Sequence, residues 1–97
     1  MIRNFRHRGL QTFFQTGNIR PKGYPGINAQ WSRRLLVRLT TLDAAETAEE
    51  MDVPGWRLHE LSGERRGTWV VNVTGNWRLT FRFENGDACD VDLEDYH

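Results

Sequence analysis

Ninety-seven residues, 38% of them apolar and enriched by five Phe, four Trp and two Tyr, suffice for one small domain spanning 1–97 and exclude a disordered chain. No apolar run approaches the roughly 20 residues a membrane-spanning helix needs, the N-terminus lacks a signal-like stretch, and the one cysteine, Cys89, cannot form an internal disulfide, so no membrane association and a cytoplasmic location are expected. The zero net charge hides a division: residues 1–42 hold eight bases and no Asp or Glu, while residues 43–97 hold all thirteen acids against five bases.

That division has two readings. The halves neutralise each other inside the fold, or they form a cationic face for RNA with an acidic edge elsewhere. Twelve of the thirteen bases are arginine, whose planar fork suits phosphate better than lysine does.

In chain order, residues 2–5 read as a short first strand. Residues 7–16 read as a helix with Leu10, Phe13 and Phe14 on one side and Gly17 as its stop. Pro21, Gly23, Pro25 and Gly26 mark a loop. From about Asn28, Trp31, Leu35, Leu39 and Leu42 recur at helical spacing, with Arg34 and Arg38 four apart on the flank of that stripe. Thr47 and Glu50 have capping-box spacing, which predicts a further helical turn ended by Pro54-Gly55.

After Trp56 the period becomes alternating. A short strand holds Leu58 and His59 on opposite faces, and a polar loop, 62–67, carries Arg65 and Arg66. Trp69, Val71 and Val73, then Trp77, Leu79, Phe81 and Phe83, then Cys89, Val91 and Leu93 each alternate with polar partners. Side chains paired across strands share a face, so core must meet core. A three-residue 74–76 loop sets Trp69 against Phe81 and Val71 against Leu79. A two-residue Asn85-Gly86 turn would set Phe81 against Asp90, so the pattern predicts a three-residue 84–86 loop with a bulge. That loop pairs Phe81 with Cys89 and Leu79 with Val91, and puts Arg78 beside Asp92. The expected architecture is α+β: two N-terminal helices packed on one face of a twisted, mainly antiparallel sheet, with the other face polar and concave.

The chain closes on Asp95-Tyr96-His97, directly after an alternating strand, so a sheet would anchor these last side chains. Arg78 on the neighbouring strand and His59 one hairpin earlier would share their face. Cleaving RNA through its own 2′-hydroxyl needs a base, charge for the phosphorane and an acid for the leaving oxygen. Arg78 supplies fixed charge, or alternatively forms an ion pair with Asp92. His59 and His97 have intrinsic pKa values near neutrality. Asp95 orients a histidine or acts as base, and Tyr96 stacks on a base or donates a hydrogen bond. Arg65, Arg66, Arg34 and Arg38 are candidate RNA-binding side chains. His7 has no supporting context and reads as helix surface. Trp69, Trp77 and Cys89 fall on core parity. Three scattered histidines without Cys pairs give no zinc pattern, and no cofactor is expected.

The same residues resemble a known family. Met1-Ile2 with Phe5, the run Leu58-His59-Glu60-Leu61-Ser62-Gly63, Arg65, Gly67, the run Asn76-Trp77-Arg78-Leu79-Thr80-Phe81, Asn85-Gly86-Asp87-Ala88 and the closing Asp95-Tyr96-His97 look like the HigB toxins of the RelE-like superfamily. The resemblance covers nearly the whole chain. It implies a RelE-like microbial ribonuclease-type fold and a ribosome-dependent, metal-independent mRNA endoribonuclease that cuts A-site codons. It also implies neutralisation by a HigA-like helix-turn-helix antitoxin, with operator DNA bound only through the antitoxin complex. His59, Arg78, Asp95, Tyr96 and His97 are the family's catalytic positions as they fall here. Ser62 departs from the lysine that some members carry shortly after the histidine, so either Arg65 or Arg66 supplies that charge or activity is lower. Two rivals remain: a non-catalytic RNA- or ribosome-binding module, and a decayed nuclease that keeps antitoxin binding and operon regulation.

Overall fold

A computed structural model describes residues 1–23 and 26–96. Helix α1 spans Arg8–Thr16 and helix α2 spans Ser32–Ala44. Strands β1 (His59–Glu60), β2 (Trp69–Asn72), β3 (Trp77–Glu84) and β4 (Asp87–Asp95) form one antiparallel sheet in the order β1-β2-β3-β4. Leu10 and Phe13 of α1 join Leu35, Leu39 and Leu42 of α2 in one core with Val71, Leu79, Phe81, Val91 and Leu93 of the sheet. The α+β architecture therefore matches the expectation, including both helices on one face.

Local chemistry sets the helix ends. His7 caps α1 by accepting the Leu10 N–H on Nδ1 at 2.9 Å, and Gly17, at φ 79°, ends it with an N–H donated to Phe13 O. Helix α2 starts at Ser32 rather than near Asn28. The Asn28 side chain accepts the Gln30 N–H at 2.8 Å and holds that stretch in a turn. Thr47 and Glu50 form the capping box, and the turn they start, Ala48–Met51, is a 3-10 helix.

The β2–β3 hairpin has the register that parity gave, with Trp69 opposite Phe81 and Val71 opposite Leu79. The β3–β4 hairpin does not. Its turn is the two-residue Asn85-Gly86, at φ 52° and 82°, which closes Glu84 on Asp87. Paired positive φ values of this kind match the right-handed strand twist better than a longer loop does. The burial conflict is resolved further along: between the pairs Arg82–Cys89 and Thr80–Asp92, one β3 residue faces two on β4. Asp90, at φ 51°, is the added residue of this bulge. Ala88 rather than Cys89 thereby joins the helix-facing core, and Cys89 is buried on the opposite side with Arg82. Arg78 lies opposite Glu94 and not beside Asp92.

Residues 2–5 do not make a full strand. Ile2 and Phe5 form isolated parallel bridges to Ala88 and Val91 along the free edge of β4. Between them the Asn4 amide clamps the bulge: its Nδ2 donates to Asp90 Oδ1 at 2.9 Å, and its Oδ1 accepts the Asp90 N–H at 3.1 Å.

Candidate active site

The sheet's polar face is built from alternate residues of its strands. His59, Val70, Thr80 and Asp92 form one cross-strand row, and Asn72, Arg78 and Glu94 form the next. His59 and Arg78 thus project from the same face, two strands and two residues apart, or roughly 12 Å between Cα atoms at ordinary strand spacings. A dinucleotide spans such a gap, whereas a direct hydrogen bond does not.

Arg78 is held by its own turn. Its Nη1 donates to Thr74 O at 2.8 Å, Gly75 O at 3.0 Å and Trp77 O at 3.3 Å. Among the described residues no carboxylate forms an ion pair with it. The ion pair with Asp92 that the sequence left open is not formed, because Asp92 stands opposite Thr80. Tyr96 takes that neighbourhood instead. Its backbone N–H donates to Asn76 O at 2.7 Å, pinning the tail across the hairpin end, and the Arg78 guanidinium lies 5.4 Å from the centre of its ring.

His59 is exposed, with Nδ1 2.9 Å from Arg57 O. A carbonyl only accepts, so Nδ1 carries the hydrogen and Nε2 is the nitrogen turned loose for proton exchange. Arg57 has φ 56°, and this left-handed backbone aims its carbonyl at the imidazole. Asp95 is the exposed last residue of β4 and pairs with Trp77, on the parity opposite to Arg78. His97 lies outside the described residues.

The other candidate side chains divide. Arg65 forms a two-pronged ion pair with Glu94, at 2.9 and 2.5 Å, while Thr80 Oγ1 donates to Glu94 Oε2 at 2.6 Å. The Arg65 hydrogen bonds hold the Glu94 carboxyl below its ordinary pKa, against the opposing effect of burial, and the carboxylate raises that of Arg65. The Tyr96 phenol also raises the Arg65 pKa, by less than Glu94 does. Arg66 is exposed, with its carbonyl accepting from Arg82. Arg34 donates to Val73 O at 2.9 Å, and Arg38 is 8% exposed, with Nε on Asn72 O at 2.6 Å and its guanidinium 4.6 Å from the Trp56 ring. Arg38 is thus drawn inward, where burial and then Arg34 lower its pKa.

The arginines take two kinds of partner in the fold. Arg3 pairs with Glu84 and Asp87, and Arg6 with Asp90, which is mutual neutralisation. Arg34, Arg38 and Arg78 meet carbonyls instead. The residue that sequence reasoning missed is Glu94, the shared acceptor at the centre of the polar face. A register shifted by two residues hid it. Among the described residues no group of three His, Cys, Asp or Glu side chains is placed to hold a metal ion, and no helix is long and apolar enough to cross a membrane.

Two helices behind a four-stranded antiparallel sheet are the layout of a RelE-like α+β domain. Comparison with known proteins sharpens this. A family model described as the RelE-like toxin of the type II toxin–antitoxin system HigB matches residues 3–97. A relative named Endoribonuclease HigB, from Proteus vulgaris, is 40% identical over 97 residues, all of both chains. Toxin HigB-1 of Vibrio cholerae serotype O1 is 26% identical over 95 residues, 97% of this chain and 96% of that protein. The chain belongs to the HigB-like toxins of type II toxin–antitoxin systems, a class defined by pairing with an antitoxin.

Proposed function

We propose that this HigB-family toxin is an endoribonuclease that cuts mRNA in the ribosomal A site in the cytoplasm. A HigA-like helix-turn-helix antitoxin neutralises it, and operator DNA is bound only through that complex. The observation that carries the reading is the Arg78–Tyr96 pair: a guanidinium fixed on a strand, without a carboxylate partner among the described residues, beside an aromatic ring pinned by its backbone.

The chemistry follows from the groups available. A base takes the 2′-hydroxyl proton, O2′ bonds phosphorus, and the 5′-oxygen leaves with a proton from an acid, giving a cyclic phosphate and a free 5′-hydroxyl. Arg78 neutralises the charge that builds on the phosphorane oxygens. Tyr96 stacks on the nucleotide at the cut. His59, through Nε2, or Asp95 serves as base, and His97 as acid. Arg65, Arg66, Arg34 and Arg38 hold flanking RNA. The charge of Arg65 is partly offset by Glu94, so Arg66 is the better stand-in for the lysine that Ser62 replaces.

Primer extension on translating messages tests this. The wild-type protein gives codon-specific cuts, and Arg78→Ala lowers the cleavage rate by at least about 100-fold while still binding antitoxin. Full cleavage by Arg78→Ala overturns the assignment. Arrest of translation without cuts would establish the non-catalytic binding module instead.

A further inference from the structure

A second concavity, of about 520 Å³, lies at the end of the sheet between α2, the Gly55–Arg57 stretch and the β2–β3 turn. Arg34, Arg38 and Arg57 line it, and its lining contains no Asp or Glu. Three arginines thus line one hollow whose lining holds no carboxylate. Elsewhere on this chain Arg3, Arg6 and Arg65 all face acids. Like charges gathered in this way repel unless an anion joins them. Burial lowers the Arg38 pKa, and the neighbouring Arg34 charge lowers it further.

The hollow shares its walls with the site already described. Four consecutive carbonyls of the β2–β3 connection are taken by arginines from two sides: Asn72 O by Arg38, Val73 O by Arg34, and Thr74 O and Gly75 O by Arg78. On the other wall, Arg57 offers its carbonyl to His59 and leaves its exposed side chain without a hydrogen bond or ion pair among the described residues. An anion seated here touches the backbone that fixes Arg78 and the residue that orients His59.

We infer that this hollow binds one non-scissile phosphate of the RNA strand being cut, held by Arg34, Arg38 and Arg57, and so sets which linkage reaches Arg78. The inference rests on the nuclease reading and specifies how that site grips its substrate. RNA is favoured over an acidic segment of a protein partner because the hollow is continuous with the turns that carry the two reacting-site side chains.

The test uses messages carrying a single uncharged methylphosphonate linkage at each position on either side of the cut, read on translating ribosomes. With the wild-type protein one flanking linkage slows cleavage about tenfold, the weight of one charge-assisted contact. With Arg57→Ala the unmodified message is cut about tenfold more slowly, and the same linkage no longer matters. Arg57→Lys recovers part of the rate, since it keeps charge but loses the two-pronged grip. Arg34→Ala repeats the pattern, and thermal melting shows both variants folded. If no flanking linkage matters, or all slow wild type and variants alike, the phosphate site is wrong while the nuclease stands. If Arg57→Ala weakens antitoxin binding and leaves cleavage unchanged, the hollow serves a protein and the inference is overturned. If the wild-type protein cuts nothing, the nuclease reading falls and the site falls with it.

Discussion

Glu94 offers the sharpest test of how the polar face works, because the structure predicts opposite signs for stability and substrate affinity. Its carboxylate takes two arginine N–H bonds from Arg65 and one hydroxyl bond from Thr80. Replacement by Gln keeps the shape and one acceptor oxygen for Thr80 but removes the charge. The Arg65 side chain is 46% exposed and that of Glu94 23%, so the ion pair is solvent-screened and worth about 0.5–1 kcal/mol. Glu94→Gln should therefore lower Tm by roughly 2–8 °C, since about 1 kcal/mol shifts a chain of this size by roughly 4–8 °C. Glu94→Ala additionally orphans the Thr80 hydroxyl, which is 1% exposed, and should cost a further 1–3 kcal/mol or so.

The functional effect runs the other way. Glu94→Gln releases Arg65 at the edge of the site, adding one uncompensated cation within reach of RNA. The salt dependence of binding should steepen by about 0.7 in log–log slope, and KM should fall by roughly 3- to 10-fold, with kcat within about threefold. The pH dependence provides a check. The native Glu94 pKa lies below its ordinary value of 4.5, so the unfolded chain takes up the proton first as pH falls. The pair's stabilisation is complete above about pH 4.5 and is lost as pH drops through the native value. The stability gap between wild type and Glu94→Gln should accordingly close in acid. Urea denaturation at several pH values and steady-state cleavage measure both halves. A rise in KM, or a 100-fold loss of kcat in Glu94→Gln, would refute the reasoning and make Glu94 a participant in proton transfer.

Tyr96→Phe should retain cleavage within about threefold, since the ring stays over Arg78, whereas Tyr96→Ala should lose tenfold or more through the ring's cation–π contact and base stacking. Equal losses in a single-turnover assay would move the role to the hydroxyl. His7 caps α1 through a nitrogen lone pair, and burial, partly countered by Asp92, lowers its pKa. Its contribution is complete above the ordinary value of 6.5 and fades as pH falls toward the native value, because the unfolded chain protonates first. His7→Ala should cost about 1 kcal/mol at pH 8 and flatten the stability profile just below pH 6.5 in chemical denaturation. Deleting Asp90 should keep Arg78 opposite Glu94, since a regular ladder then joins the same pairs, but should unseat the N-terminal segment from β4. Hydrogen exchange should quicken at the Arg6 and Val91 amides with β3 amides still protected, and protection at Arg6 would refute the clamp.

Much of this fold is readable without coordinates where one period dominates. Leu35, Leu39 and Leu42 repeat with the helix and are all buried, and Trp69, Val71, Leu79 and Phe81 alternate across a hairpin whose parity admits one register. The second hairpin defeats the same logic because two local preferences conflict. Asn85-Gly86 is the better turn, while uninterrupted alternation demands a longer one. The chain satisfies both by placing its irregularity at Asp90, five residues past Asn85, where neither pattern marks it. The residue that stabilises the bulge, Asn4, is 86 positions away in sequence, and no short-range signal connects them. His7 was hidden for a related reason: its context is a backbone N–H, which spacing does not show.

That misplaced irregularity reaches the chemistry. With a three-residue 84–86 loop, Trp77 would face Leu93, and the last residues would run two positions further past the hairpin end, leaving Arg78 beside Asp92. The observed ladder sets Trp77 against Asp95, so the tail is drawn back and the Tyr96 N–H meets Asn76 O. Only in this register does an aromatic ring lie against Arg78, with its neighbouring carboxylate, Glu94, already committed to Arg65. The alternative would have given Arg78 an acidic neighbour free to neutralise it. A guanidinium with a protein anion in contact binds phosphate poorly, because the RNA must first displace that anion. The bulge therefore does more than reconcile burial on β4: it decides which acid stands near Arg78, and it chooses one that is otherwise engaged.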